Sequence, residues 1–342
     1  MNHARGWLRP ALPITVAVTL ILAACGTGDA GGGGVNDGNG GVAGSGSVFV
    51  SGSSTVEPIT ALVAELFAEE NGGFDYTVEG PGTGDGFALF CNGETDISDA
   101  SRPIKEEEIA ACDEAGIEYA EILIAYDGMA VITSAENDAV SCLSFADLYA
   151  LLGPESQGFE TWASANDLAA ELPEGFGELH APYPDADLVV TAPGEESGTF
   201  DSFVEIVVED IADERGQDAT TRPDYVASPN DNVIIEGITG TTTSLGWVGL
   251  AFAAENAEAV KIIEVDGGDG CVAPSAETVV DGSYPIARPL YIYVNNARAD
   301  ENPALVAFVD YYVANLDTAG EVGYVNLSAD EMAASQSTWE GR

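Results

Sequence analysis

Four short runs of serine, threonine and glycine stand ahead of segments with helical periodicity, and together they have the chemistry of an anion site. They are residues 51–55 (Ser-Gly-Ser-Ser-Thr), 82–86 (Gly-Thr-Gly-Asp-Gly), 101–102 (Ser-Arg) and 197–199 (Ser-Gly-Thr). A helix start presents unpaired N–H groups and a partial positive charge, and each hydroxyl adds a donor. One such run alone is an ordinary N-cap. Several that converge would enclose a small tetrahedral oxyanion.

The segments that must position these runs alternate between strand and helix patterns. This alternation predicts the α/β class with largely parallel sheets. It also puts the runs at strand-to-helix junctions, where ligands bind in open α/β sheets. In detail, the pattern predicts a strand at residues 95–97, a helix opening at residues 101–103, and a buried strand region at 121–133 that breaks at Asp127-Gly128.

The N-terminus has the pattern of an export signal over residues 1–24. Arg5 and Arg9 precede an apolar run that is too short to span a bilayer. Residues 22–25 (Leu-Ala-Ala-Cys) resemble the bacterial lipoprotein cleavage box, which implies a lipid on Cys25; ordinary signal cleavage nearby is the alternative. Residues 25–47 then predict a glycine-rich flexible linker. We therefore expect a lipoprotein on the outer face of the cell membrane, on its periplasmic or extracellular side.

The chain is extremely acidic, with 58 Asp and Glu against 10 Lys and Arg and a net charge of −48. This charge excludes nucleic acid as a partner and disfavours anionic membrane surfaces. Because 46% of the residues are hydrophobic, the chain should fold rather than form a disordered acidic tail. From residue 48 onwards it is long enough for two domains.

Four cysteines follow Cys25, namely Cys91, Cys112, Cys142 and Cys271. An even number in an exported protein predicts two disulfides, with three possible pairings. We predict no metal site and no cofactor, because no C-x-x-C spacing occurs and His180 is the only histidine beyond the signal.

Over most of this body the chain resembles the phosphate-binding proteins of bacterial ABC importers, the Pst-type (PstS) solute receptors. The stretches that carry the resemblance are residues 51–58 (SGSSTVEP), 93–103 (GETDISDASRP), 125–128 (AYDG), 196–200 (ESGTF), 231–233 (DNV), 272–278 (VAPSAET) and 287–291 (ARPLY). The resemblance implies a two-lobed periplasmic-binding-protein fold of type II. Each lobe would be a central mixed sheet flanked by helices, and two crossover strands would join the lobes.

The resemblance also implies where the lobes and the disulfides lie. Crossovers are expected near residues 129–133 and 285–290. One lobe would hold residues 48–130 and 288–342, and the other residues 131–287. If each disulfide stays within one lobe, the pairs are Cys91–Cys112 and Cys142–Cys271.

Carried over by position, the resemblance implies a set of phosphate-binding residues from both lobes. The first lobe would supply Ser54, Thr55, the Val56 N–H, Thr83, Ser101 and Arg102, and the second Ser197, the Gly198 N–H and Thr199. The turn at Asp231-Asn232 would support the site.

Two positions depart from the family's pattern. Ser101 stands where well-known receptors have an aspartate that accepts the phosphate proton, and Pro193-Gly194 replaces an arginine ahead of Ser-Gly-Thr. Arg102 is therefore the expected cation, with Glu196 as its partner. Sulfate has no proton to donate, so an acceptor in the site is what rejects sulfate. Glu196, Asp99 and Asp231 are all open as that acceptor.

The implied function is that of a monomeric solute-binding lipoprotein, not an enzyme. It would capture inorganic phosphate between the lobes and deliver it to the transmembrane permease subunits of an ABC importer. A receptor for sulfate or molybdate is the nearer alternative. A serine hydrolase is the more distant one, because a single histidine gives little support for a catalytic base.

Overall fold

The structure, a computed structural model, describes residues 45–342. The predicted signal, Cys25 and most of the predicted linker lie outside the described residues. Within the described part, no helix is both long enough and apolar enough to cross a membrane.

Strands and helices alternate along the first part of the chain, as the periodicity predicts. They are β1 (Gly46–Gly52), α1 (Glu57–Glu70), β2 (Phe74–Glu79), α2 (Thr83–Cys91), β3 (Ile97–Ala100), α3 (Glu106–Ala115) and β4 (Tyr119–Ser134). In α1, Ile59, Val63 and Phe67 recur at a spacing of four residues and are buried, so one face of the helix packs on the sheet.

The middle of the chain is built from shorter elements. They are β5 (Cys142–Ser144), α4 (Phe145–Leu152), α5 (Asn166–Ala169), β6 (Val189–Ala192), α6 (Gly198–Phe203), α7 (Glu209–Arg215), β7 (Val226–Ala227), α8 (Asp231–Thr239), β8 (Ser244–Gly249), α9 (Leu250–Glu255), β9 (Val260–Ile262), β10 (Glu264–Asp266), β11 (Cys271–Val272) and α10 (Ala276–Val280). A π-helical turn, Val204–Val208, joins α6 to α7.

The last part begins with a long strand and ends in helices. The elements are β12 (Ala287–Asn295), α11 (Asn296–Glu301), α12 (Pro303–Ala314) and α13 (Ala329–Glu340). Three 3₁₀ helices, Pro154–Ser156, Trp162–Ala165 and Leu316–Val322, complete the helical elements of the described chain.

One mixed sheet runs through the molecule in the order β2-β1-β3-β12-β4-β8-β6-β7, with β9 also paired to β4. The outer pairs β1–β2, β1–β3, β6–β8 and β6–β7 are parallel. Every pair that involves β12 or β4 is antiparallel. The expectation of largely parallel sheets is therefore wrong for the centre, where these two long strands run against their neighbours, and the mixed sheet of the predicted fold is confirmed.

β4 changes partners in its middle. Its residues up to Gly128 pair with β12, and those from Met129 pair with β8. The strand continues through Asp127-Gly128, so the predicted break there is wrong. The two residues instead mark the point at which one neighbouring strand replaces another.

Two large hydrophobic cores lie on either side of this change of partners. One is formed by residues between 129 and 286, and the other by residues between 48 and 125 together with residues between 290 and 339. The chain thus passes from one core to the other close to the two expected crossover segments.

Both predicted disulfide pairs are confirmed. Cys91–Cys112 joins α2 to α3, and Cys142–Cys271 joins β5 to β11 in a separate three-stranded sheet.

Two element boundaries near the runs differ from the expectation. The third strand covers Ile97–Ala100 rather than residues 95–97, and the following helix begins at Glu106 rather than at Ser101. Lys105 is the N-cap of that helix, and its first turn holds Glu106, Glu107 and Glu108, which favourably face the positive helix end. Ser101 and Arg102 therefore lie in the loop between β3 and α3.

Candidate anion-binding site

Three of the four predicted runs meet at one cavity of about 300 Å³, here called the main cavity. It lies beyond the ends of β1 and β3 and at the start of α2. Its walls are formed by Ser53, Ser54, Thr55, residues 80–83, Ser101, Asp201 and Glu205. Five of these ten residues bear hydroxyl groups, so the cavity is rich in donors.

The first wall is the turn between β1 and α1. Gly52 has φ of +155°, and a Cβ there would lie 2.0 Å from the Asp99 carbonyl oxygen, so only glycine fits. The Ser53 N–H donates to that carbonyl at 2.9 Å, which fixes the turn against β3. The Val56 N–H, a predicted phosphate donor, instead donates to the Ser53 carbonyl at 3.1 Å.

The second wall pairs Thr83 with Ser101. Their hydroxyl oxygens are 3.0 Å apart, and the Ser101 N–H donates to Thr83 Oγ1 at 3.3 Å. One hydroxyl proton serves the bond between the two oxygens, so the other is left for a ligand. Thr83 also begins α2 after Gly82, whose φ is +116°, so the first amides of that helix face the same region.

The Ser-Gly-Thr turn reaches this site, but only in part. A Cβ on Gly198 would lie 3.3 Å from both the Ser54 carbonyl oxygen and Thr55 Cα, so the backbone of the turn packs directly on the first wall. Ser197 caps α6 by accepting from the Thr199 N–H at 3.2 Å. Thr199 lines a different cavity of about 390 Å³ together with Asp127 and Asp231.

The residues of this helical segment that line the main cavity are acidic. Asp201 accepts a hydrogen bond from Ser54 Oγ at 2.8 Å, and Glu205 lies one turn further along, in the π-helical turn. These two carboxylates are the acceptors that face the hydroxyl groups.

None of the three predicted acceptors lines the main cavity. Asp99 is fully buried and accepts from Thr60 Oγ1 at 3.1 Å. Burial raises its pKa to about 8, although the bond from Thr60 opposes that shift. Burial also raises the pKa of Asp231, which lies beside Thr199. Glu196 lines a third cavity with Arg222 and Tyr225.

Asn232, the second predicted supporting residue, is also outside the main cavity. It lies in the first turn of α8, where its N–H donates to the side chain of Asn230, the N-cap, at 3.0 Å. Its observed contact is that of a helix cap.

Arg102 does not have the predicted partner. Its Nη1 and Nη2 each donate to Glu108 at 2.8 Å, and Nη1 also donates to the Pro103 carbonyl. The expectation of Glu196 as partner is wrong, because Glu108, in the first turn of α3, accepts from both terminal nitrogens of the guanidinium. The bond to Glu108 raises the pKa of Arg102. Arg102 lines a neighbouring cavity, here called the Arg102 cavity, with Thr83, Lys105, Glu205 and Glu209.

Arg288, which the sequence patterns did not single out, directly contacts the turn after β1. It lies on β12 opposite Asp127 of β4 and is only 8% exposed. Its Nη2 donates to Thr55 Oγ1 at 3.0 Å and to Ser202 Oγ at 2.6 Å, and its Nη1 donates to Glu205. Since an arginine can only donate, Thr55 Oγ1 accepts from it and can donate its own proton to another acceptor; Ser202 Oγ, at 3.2 Å, is within reach of that proton.

Asp127 and Ser202 complete this network. Ser202 Oγ lies 2.7 Å from Asp127 Oδ2, and Arg288 Nε lies 3.6 Å from the same oxygen. Burial raises the pKa of Asp127, while Arg288 and Ser202 act in the opposite direction. The buried arginine thus has one buried and one exposed acid beside it.

A signal for this network was present in the sequence. Arg288 is one of 10 basic residues and stands in an apolar strand, and Asp127 stands in another apolar strand. Charged residues at such positions are rarely buried without a partner, so the pair could have been proposed from the two strand patterns.

The described residues offer one group with the spacing of metal ligands, formed by Cys142, His180 and Cys271, whose ligand atoms lie within 4.8 Å of one another. The two sulfur atoms are joined in a disulfide, so they are not available as thiolates.

Comparisons with known proteins agree with this architecture. Residues 37–315 match the family model described as a PBP superfamily domain. The chain is 31% identical over 326 residues to the phosphate-binding protein PstS of Staphylococcus saprophyticus, which covers 94% of this chain and 91% of that protein. The chain belongs to the PstS family of the PBP superfamily.

Other relatives extend this result. Protein SphX of Synechocystis sp. is 39% identical over 277 residues, which is 80% of this chain and 76% of SphX. The crystal structure of a possible phosphate binding protein from Planctomyces limnophilus matches with a TM-score of 0.76 and 31% identity, covering 87% of this chain and 98% of that one. The predicted fold class is confirmed, and membership in a family of binding proteins sets the hydrolase alternative aside.

Proposed function

We propose that this protein captures inorganic phosphate in the main cavity, between a lobe of residues 48–130 with 288–342 and a lobe of residues 131–287. The observation that carries the proposal is the convergence of five hydroxyl residues, Ser53, Ser54, Thr55, Thr83 and Ser101, on that one cavity. The names of the PstS relative and of the Planctomyces structure support phosphate as the anion.

Neutral donors can hold a dianion in a chain of charge −48. Exposed acids farther away than about 8 Å are largely screened at physiological salt. Each hydrogen bond in the site contributes about 0.5–1.5 kcal/mol net, so several hydroxyls and first-turn amides approach the roughly 8 kcal/mol of micromolar binding. Arg288 adds a positive charge behind Thr55.

The carboxylate of Asp201 favours phosphate over the other oxyanions. It lines the cavity and already accepts from Ser54 Oγ, so it is placed to accept a proton from hydrogen phosphate. Sulfate and molybdate are fully deprotonated at neutral pH and would meet that carboxylate with no proton to donate. We propose Asp201 in the role for which the sequence left Glu196, Asp99 and Asp231 open.

The remaining parts of the proposal concern location and partners. Cys25 would carry the lipid that anchors the protein outside the cell membrane, and residues 25–47 would be the flexible linker to it. A monomer in this position would deliver phosphate to the permease subunits of an ABC importer. Of the binding residues predicted from the sequence, Ser54, Thr55, Thr83 and Ser101 line the main cavity and carry the proposal, with Arg288 added. Arg102 and the Ser197–Gly198–Thr199 turn stay predictions, with smaller expected contributions.

Titration calorimetry with phosphate, sulfate and molybdate tests the proposal. We expect saturation at one phosphate per chain, and weaker or no heat with the other two anions. Thr83→Val should weaken phosphate binding, whereas Thr239→Val, an exposed threonine that donates to its own helix, should not. Binding of sulfate or molybdate in preference to phosphate would select the alternative receptor.

A further inference from the structure

Glu205 holds a central position among the charged groups around the main cavity. It accepts from Arg288 Nη1, and its charge contributes to raising the pKa of Arg102. It lines both the main cavity and the Arg102 cavity. Its side chain is 41% exposed, so it can leave Arg288 without opening a hydrophobic core.

The other nitrogens of Arg288 are engaged or enclosed. Nη2 bonds to Thr55 and Ser202, and Nε is buried without a hydrogen-bond partner among the described residues. Nη1 is therefore the donor that Glu205 occupies. Nη1 bears two N–H groups, so a phosphate oxygen bound at the same nitrogen would lie beside the Glu205 carboxylate, and the two anions would compete for Nη1 because they repel each other.

The backbone around Glu205 departs from a regular α-helix. Glu205 lies in the only π-helical turn of the described residues, Val204–Val208, which follows the Ser-Gly-Thr turn by one short helix. A π turn shifts the side chains that follow it relative to a regular helix, and such turns occur often at functional sites.

We propose that Glu205 is a displaceable counter-ion that competes with the bound anion for Arg288 and so lowers the affinity of the site. When the anion arrives, the Glu205 carboxylate moves towards the Arg102 cavity, where Lys105 and Arg102 supply positive charge. This inference rests on the proposed function, because it assumes that the anion binds in the main cavity.

The test compares two substitutions that remove the same charge. Glu205→Gln should bind both phosphate and sulfate at least about fivefold more tightly than the wild type, since a neutral amide competes poorly for arginine. Glu214→Gln is the matched control, because Glu214 is an exposed acid of α7 that lines neither the main cavity nor the Arg102 cavity. It should change either affinity by less than about twofold, as expected for an exposed charge. Calorimetry at fixed ionic strength measures both.

Each other outcome is decisive. Phosphate affinity that is unchanged or lower in Glu205→Gln would overturn the proposal, and lower phosphate with higher sulfate affinity would show that Glu205 accepts the ligand's proton instead. An equal gain in Glu214→Gln would also overturn it, because the effect would then be one of overall charge.

The failure of the proposed function gives a different result. A wild-type protein that binds none of the anions contradicts phosphate capture, yet binding gained in Glu205→Gln would still support the counter-ion role. Absence of binding in both proteins would overturn the two proposals together.

Discussion

The two arginines near the main cavity differ in location, burial and partners. Arg102 lies in the loop after β3, its side chain is 21% exposed, and both of its terminal nitrogens bond to Glu108 nearby in sequence. Arg288 lies in β12 and is 8% exposed. Its partners Thr55, Ser202 and Glu205 come from segments far apart in the chain.

The difference in partners indicates which arginine can donate a hydrogen bond to a ligand. A guanidinium held on two nitrogens by one carboxylate forms a complete local pair. Arg288 instead divides its donors between two hydroxyls and an exposed acid. We therefore expect Arg288, rather than Arg102, to dominate the binding free energy.

The largest effect should come from Arg288→Met, which keeps an unbranched apolar stem and removes the guanidinium charge. We expect the dissociation constant for phosphate to rise at least about 30-fold, or about 2 kcal/mol, because the anion loses its buried partner. Calorimetry on protein shown to be folded by circular dichroism measures the change. Arg298→Met, at a side chain that is 46% exposed, is the control, and an unaltered constant in Arg288→Met would remove Arg288 from the site.

Two buried acids differ in the same way as the two arginines. Asp127 has the guanidinium of Arg288 beside it, whereas one carboxylate oxygen of Asp99 has no hydrogen-bond partner among the described residues. Burial raises the pKa of Asp99 from 3.8 to about 8. The folded state therefore keeps a proton that the unfolded state releases above about pH 4, so stability falls as pH rises through this window and levels off above about pH 8.

Asp99→Asn should remove this pH dependence. Between about pH 6 and pH 8 we expect the wild type to lose about 2 kcal/mol of unfolding free energy relative to the variant. Urea denaturation at several pH values measures the difference. Parallel pH profiles of the two proteins would contradict the raised pKa of Asp99.

A smaller effect is expected from Thr55→Val. Thr55 Oγ1 accepts from Arg288 and so directs its own proton elsewhere, and its loss should weaken phosphate binding by about 1 kcal/mol. Thr199→Val is the matched change on the residue that lines the cavity with Asp231. It should have less effect, and the reverse order would place the anion near Thr199 instead.

The smallest effect should come from Arg102→Ala. Because Glu108 already binds the guanidinium, we expect phosphate affinity to fall by less than about 1 kcal/mol. A loss as large as that of Arg288→Met would erase the distinction between the two arginines. Glu108→Gln would then be the next variant to measure, because weakening the bond between Glu108 and Arg102 should raise the contribution of Arg102 to phosphate affinity.

Local sequence patterns were sufficient for the α/β class, for most elements and for the hydroxyl groups on two walls of the main cavity, whereas the two-lobed fold followed from the family resemblance. Ser54, Thr55, Thr83 and Ser101 follow strands that end at the same edge of the sheet, so a pattern of strand, turn and helix brings them together. The disulfide pairs followed from the lobes that the family resemblance implied, and the structure confirms them.

The charged part of the site was less accessible from the sequence. Arg288 meets Thr55 across 233 positions of the chain, and only the antiparallel pairing of β12 with β4 places it there. Arg102 was favoured because this chain lacks the arginine that the family carries ahead of Ser-Gly-Thr, yet Glu108 in the first turn of α3 binds Arg102. The position of the Glu205 side chain depends on a π turn, and hydrophobic periodicity does not predict such a turn.

The most direct test of the central claim is a crystal structure with arsenate, a tetrahedral analogue of phosphate whose arsenic atom can be located by anomalous scattering. We expect one arsenic peak in the main cavity, within hydrogen-bonding distance of the Thr55 and Thr83 hydroxyls and on the side that faces Arg288. A peak held by Arg102 alone, or one beside Thr199 and Asp231, would contradict it.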